Sequence, residues 1–183
     1  MKQSGKDTVA AYLVKEHGFE RKAFADPLKR SVAALFDIPF SEIDKLKNDP
    51  ATSVRLYNND GKIAFMDFRE LLQRYGTEAH RDVFGNCFWV DMALPVQGFY
   101  PGRAIVVTDV RFREEAERIK YLGGRVVIIN RKDAALVSKD PHRSELIDFP
   151  ELIDHKIYND GTHEELYAQV EDILAKTPLE SVC

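Results

Sequence analysis

Ser4-Gly5-Lys6-Asp7-Thr8 is the stretch of this chain with the residue types to hold a phosphate. In a loop of the form G-x-x-x-x-G-K-[ST], backbone N–H groups at a helix N-terminus point at an anion, and the lysine reaches its terminal phosphates. Gly5 and Lys6 match the second glycine and the lysine. Asp7 stands where a hydroxyl residue is usual, Thr8 follows, and the pattern's first glycine falls one position before Met1. Taken alone, the five residues also fit a surface turn that opens a helix. Asp109 ends the run "IVVTD". An acid at the end of a buried strand can position Mg²⁺ through water or accept a proton, or it can cap the next helix. Phosphoryl transfer asks for positive charge around donor and acceptor oxygens. Lys29, Arg69, Arg74, Arg81, Arg111, Arg131 and Arg143 are the candidates, each also compatible with a solvated surface cation. Trp89 can stack on a base or simply belong to the core. His142 in "DPHRSE" has no triad or metal-ligand spacing around it.

These residues need elements to hold them. Asp7 to His17 reads as a helix with Val9, Leu13 and Val14 apolar, stopped by Gly18. Residues 19–25 make a short strand. Asp26 as N-cap and Pro27 at the first helical position start the next helix, and Ser41 opens another. The "NNDG" turn marks 48–66 as an insertion or hairpin. Asp67 caps a helix whose apolar positions are Phe68, Leu71, Leu72, Tyr75 and Ala79, and "NCFWVDMAL" continues helical. Residues 103–109 and 125–131 read as buried parallel strands. Between them a helix ends at Gly123-Gly124. Residues 132–148 are polar and irregular. "HKIYND" is the last strand, and Thr162 with Glu165 forms a capping box for a final helix with Leu166, Val170, Ile173 and Leu174 inward. Alternating strands and helices predict an α/β fold with a parallel sheet, right-handed crossovers and ligands at the strands' carboxyl ends.

The bulk properties agree. The chain has 183 residues, 44% hydrophobic and 31% charged, with a net charge of −4. This suits one domain with a core and argues against general nucleic-acid or membrane-surface binding. Cys87 and Cys183 show neither metal nor disulfide spacing, which fits a reducing cytoplasm. No apolar run approaches the roughly 20 residues of a membrane span. Phe84, Phe88, Phe99 and Tyr100 on 84–100 read as core, with a homodimer contact as the alternative.

In order along the chain, "SGKDT" (4–8), "ADPLK" (25–29), "LLQRYGTE" (71–78) with "FWV" (88–90), "VVTDVRFREEAE" (106–117), "GGRVVIINR" (123–131), "DPHRSE" (140–145) and "IYNDGTHEEL" (157–166) resemble the deoxynucleoside monophosphate kinases of tailed phages, which are P-loop kinases. The stretches cover nearly all the chain except 48–66 and the tail. "SGKDT" and "NDGT" are loose singly, while the ordered set is specific. The resemblance implies a three-layer P-loop nucleotide-kinase fold and a single domain over 1–183, with 132–148 as a lid that excludes water. It implies transfer of the γ-phosphate of ATP to a deoxynucleoside monophosphate such as dGMP, dTMP or dCMP, with Mg²⁺, for DNA precursor synthesis. By position, Ser4, Gly5, Lys6, Asp7 and Thr8 would hold the ATP phosphates, and Asn159, Asp160 and Gly161 would lie near the adenine. Lys29, Arg69, Gly76, Thr77, Trp89, Asp109, Arg111 and Glu115 would surround the monophosphate. Lys6, Asp109, Arg111 and Arg131 would be catalytic, with Asp109 directing Mg²⁺ through water. The implied partners are small nucleotides, and the implied location is cytoplasmic, in the host if a phage encodes the chain.

The sequence departs from the family pattern at its start, where a central strand should run into the first glycine. Loss of such a strand would orphan its neighbours' hydrogen bonds and open the core. The expectation is therefore a start at an internal methionine, with an apolar run ending in glycine encoded just upstream. Without it, poor folding and weak ATP binding are expected. Two rival readings remain at this point: another small-molecule P-loop kinase (dephospho-coenzyme A or phosphomevalonate type), and a non-catalytic remnant.

Overall fold

The computed structural model describes residues 4–57, 60–95, 103–131 and 149–176. The lid-like segment 132–148 with His142 and Arg143, and also Phe99 and Tyr100, lie outside them. The chain forms two compact units: Met1–Ala23 with Leu94–Cys183, and Phe24–Ala93.

In the first unit, α1 (Lys6–His17) starts after Gly5 and ends at Gly18, whose φ of 68° is the left-handed conformation glycine adopts at low cost. β1 (Glu20–Lys22) pairs in parallel with β4 (Ile105–Val107), and β5 (Val127–Asn130) with β6 (His155–Tyr158). Among the described residues the parallel strands thus form two separate pairs. Both pairs pack on one cluster: Val106 of β4 and Ile129 of β5 meet Val9 and Leu13 of α1 and Leu166 and Val170 of α8 (His163–Lys176). The expected inward face of α1 needs one correction. Val14 is 41% exposed and Ala10 is buried instead, because the stripe facing the strands centres on Val9 and Leu13, one turn apart. α8 begins as its sequence predicts. Thr162 Oγ1 accepts from the Glu165 N–H (3.3 Å) and Glu165 Oε2 from the Thr162 N–H (3.1 Å). α7 (Arg113–Tyr121) crosses between β4 and β5, and a smaller core of Ala116, Val126 and Phe149 lies under it.

The second unit starts with α2 (Ala25–Leu35). Asp26 lies inside its first turn rather than at the N-cap, and Pro27 falls third, still among the residues whose N–H has no intrahelical acceptor. A 3₁₀ turn at Phe40–Glu42 leads into α3 (Ile43–Asn48). β2 (Ser53–Tyr57) and β3 (Ile63–Asp67) form the antiparallel hairpin expected of "NNDG", although Asn58 and Asn59 themselves lie outside the described residues. Asp67 caps α4 (Phe68–Gly76), its Oδ1 accepting from the Glu70 N–H at 2.7 Å. The chain then widens into a π-helical segment, Thr77–Arg81, followed by α5 (Asp82–Phe84) and, past Gly85, α6 (Phe88–Ala93). The extra residue in the π turn rotates the helix face, so Ala79 is exposed, not inward. Phe84 is 64% exposed, which corrects its reading as core. Val32, Ala33, Ile43, Phe68 and Leu72 form the core of this unit. No helix of the described residues is long and apolar enough to cross a membrane.

Candidate functional site

At the head of α1, Gly5 holds φ 102°, ψ 4°, and its carbonyl accepts from the Val9 N–H at 3.0 Å. This turn puts the first N–H groups of a 12-residue helix at a bend made by a residue without a side chain. The positive end of the helix dipole lies there too, so the geometry suits an anion. Ser4 is 4% exposed, and its carbonyl accepts from Asn159 Nδ2 at 2.9 Å. Lys6 and Asp7 pair at 2.7 Å through exposed side chains. A polyphosphate can take over so exposed a cation cheaply, because surface pairs are worth little.

Other candidates of the first unit sit at strand ends. Asp109 is half-buried two residues past β4, and Arg111 is exposed. Thr108, at the same end, is buried, and its Oγ1 accepts from Arg21 Nη2 at 3.4 Å. Glu115 is 3% exposed, and its Oε2 accepts the backbone N–H groups of Arg111 (2.7 Å) and Phe112 (3.1 Å). It therefore closes the N-terminus of α7 and fixes the backbone that carries Arg111. Arg131 is exposed just past β5, and Asp160 and Gly161 are exposed just past β6. Asn159, which the resemblance implies lies near the adenine, directs its side chain to the Ser4 carbonyl.

In the second unit, Lys29 Nζ meets Asp44 at 2.8 Å, and the lysine side chain is only 14% exposed. Nothing in the sequence signals Asp44, which lies 15 positions away and on another helix. Arg69 donates to Asn48 Oδ1 (3.1 Å) and the Lys47 carbonyl (3.4 Å). Gly76 and Thr77 mark the junction of α4 with the π segment. Trp89 is 5% exposed, and its Nε1 donates to the Gly76 carbonyl at 2.9 Å. Its ring lies among Tyr75, His80 and Phe88. Trp89 thus supports the turn that presents Thr77. Of the other arginines named from sequence, Arg74 is engaged on its own helix by Glu70 and Glu78.

Comparison with known proteins gives these residues a family context. A family model described as deoxynucleotide monophosphate kinase matches residues 40–170, a stretch that begins past the phosphate loop and includes Arg69, Gly76, Thr77, Asp109, Arg111 and Arg131. A protein of Acanthamoeba polyphaga mimivirus, provisionally named a deoxynucleotide monophosphate kinase, is 33% identical over 189 residues, covering 92% of this chain and 90% of that protein. The deoxynucleotide monophosphate kinase of Escherichia phage RB69 is 34% identical over 109 residues, covering 58% of this chain and 44% of that protein.

Proposed function

The chain belongs to the deoxynucleotide monophosphate kinase family, and from that premise we propose that it transfers the γ-phosphate of ATP to a deoxynucleoside 5′-monophosphate such as dGMP, dTMP or dCMP. The products are ADP and the deoxynucleoside diphosphate, a DNA precursor. The observation that carries the ATP half is the left-handed Gly5 turn at the head of α1 with Lys6 directly after it. Ser4, Gly5, Lys6, Asp7 and Thr8 bind the ATP phosphates, and Lys6 exchanges Asp7 for the β- and γ-phosphates. An oxygen of the acceptor's phosphate forms a bond to the γ-phosphorus in line as the bond to the β,γ-bridging oxygen breaks. Arg111 and Arg131 offset the charge on the transferred group, which is positioning and electrostatics rather than covalent chemistry.

Lys29, Arg69, Gly76, Thr77, Asp109 and Arg111 bind the monophosphate. Trp89 and Glu115 serve it from behind, through the Gly76 carbonyl and the Arg111 backbone. Asp160 and Gly161 lie beside the adenine. The described residues contain no group of three or more His, Cys, Asp or Glu that could hold a metal ion. Mg²⁺ is a hard cation usually held by one or two carboxylates, water and the substrate's phosphates, and Asp109, half-buried two residues past β4, would supply the carboxylate through water. When bound, the ion would offset negative charge on the phosphate oxygens during transfer.

A substrate panel with ATP tests this reading. Phosphorylation of at least one of dGMP, dTMP and dCMP is expected, with dephospho-coenzyme A inert. Lys6→Ala should lower kcat/KM by about 100-fold or more, as loss of a charge-stabilising donor does elsewhere. No turnover of any deoxynucleoside monophosphate, or full activity in Lys6→Ala, overturns it.

A further inference from the structure

Asn159 stands directly after β6, on a backbone secured from two sides. Its own N–H donates to the Asn130 carbonyl of β5 at 2.8 Å. Its neighbour Tyr158 is held by the Gln169 side-chain amide of α8, which accepts from the Tyr158 N–H (3.0 Å) and donates to the Tyr158 carbonyl (2.8 Å). From this support the Asn159 side chain reaches the phosphate loop. Its Nδ2 donates to the Ser4 carbonyl at 2.9 Å. A carbonyl only accepts, so the amide nitrogen, not the amide oxygen, must face it. The approach is close enough to dictate the next residue as well. A Cβ on Gly5 would lie 2.4 Å from Asn159 Nδ2 and 3.1 Å from its Cγ.

The consequence follows from peptide geometry. In a trans peptide the C=O and the following N–H point in opposite directions. Holding the Ser4 oxygen against Asn159 aims the Gly5 N–H away from β6. It also keeps the negative end of that peptide from turning toward bound phosphate oxygens. A loop whose work is to present N–H groups to an anion loses affinity when one of its peptides can flip.

We propose that Asn159 is a positioning residue for the phosphate loop, acting on the Ser4–Gly5 peptide and not on the nucleotide base. The inference rests on the phosphate-loop reading above and adds the device that holds the loop in its binding form. It assigns Gly5 a second duty beside its left-handed φ, that of admitting the Asn159 amide.

The test compares Asn159→Ala and the nearly isosteric Asn159→Asp with the wild-type chain and Lys6→Ala. It measures KM for ATP, KM for the deoxynucleoside monophosphate, the inhibition constant of inorganic tripolyphosphate against ATP, and Tm. Loss of the brace should raise KM for ATP and the tripolyphosphate constant together by about tenfold, the scale of one lost hydrogen bond. KM for the monophosphate should stay as in wild type. Asn159→Asp should be the more severe, since it puts a carboxylate against the Ser4 oxygen and near the phosphates. A rise in KM for ATP with tripolyphosphate unaffected would assign Asn159 to the base and overturn the proposal. So would wild-type constants in both variants, or a general loss in which both KM values worsen along with Tm. Failure of both variants to fold would make Asn159 a structural residue and overturn it too. Where Lys6→Ala is inactive and the Asn159 variants behave as wild type, the brace alone is wrong; where Lys6→Ala is also fully active, the phosphate-loop reading has failed.

Discussion

Burial alone would push the Asp154 carboxyl up, yet it ends below the ordinary aspartate range. Lys120 Nζ sits 2.5 Å from Oδ1, the Val126 N–H donates to Oδ2 at 2.8 Å, and Arg125 adds charge at 3.9 Å. A carboxyl depressed in the folded state stabilises above its unfolded pKa of about 3.9, and that contribution disappears as pH falls through the lower native value. Thermal melts of Asp154→Ala should show a cost of about 2 kcal/mol at pH 7, shrinking below pH 4; a cost independent of pH would contradict the assignment. Tyr12 reports on the opposite side of the titration range. Its hydroxyl donates to Glu171 Oε1 at 2.6 Å, and this bond, then burial, then the Glu171 charge hold the phenol up to about 12. Glu171 is lowered in turn, first by Tyr12 and then by His17. Ultraviolet titration of Tyr12→Phe should therefore lack a wild-type tyrosine transition at about pH 12. If the late transition persists, another tyrosine carries it.

α4, the π segment, α5 and α6 show what can be read ahead along a chain and what cannot. The cap at Asp67, the stop at Gly18, the Thr162–Glu165 box and the hairpin around "NNDG" are legible, because each is a contract between residues within a few positions. The Gly5 turn that opens α1 is legible for the same reason. What the sequence hides is long-range or conformational. Asn159 and Ser4 are 155 positions apart, Lys29 and Asp44 lie on separate helices, and no local code announces that the helix after Gly76 widens into a π turn. Glu115 is the third residue of α7 and accepts the N–H groups of Arg111 and Phe112, a helix-closing duty that its place in the family pattern does not announce. Trp89 is the same kind of case, a large ring with an N–H that the core puts to use. Trp89→Phe keeps the ring's bulk and removes the donor to the Gly76 carbonyl. It should cost about 1–2 kcal/mol in stability and raise KM for the deoxynucleoside monophosphate severalfold with KM for ATP little changed. A larger effect on ATP than on the acceptor would mean that the turn at Gly76 does not serve the monophosphate.

At the scale of the whole molecule, the candidate residues divide with the two units. The phosphate loop, Asp109, Arg111, Arg131 and Asn159 belong to Met1–Ala23 with Leu94–Cys183, while Lys29, Arg69, Gly76, Thr77 and Trp89 belong to Phe24–Ala93. A ligand that binds only the folded state stabilises it by mass action, by about 2.7 kcal/mol at 100 times its Kd. For a chain of this length that is a rise in Tm of roughly 5–10 °C. ATP and the monophosphate should each give such a rise in wild type. Lys6→Ala should lose the ATP shift and keep the monophosphate shift. Lys29→Met should do the reverse, with a lower baseline Tm because the ion pair with Asp44 is lost. The cross-pattern separates binding from folding, since a variant that merely weakens the fold lowers every Tm and keeps both shifts. If Lys6→Ala loses the monophosphate shift and Lys29→Met the ATP shift, the assignment of Lys6 to ATP and of Lys29 to the monophosphate is wrong.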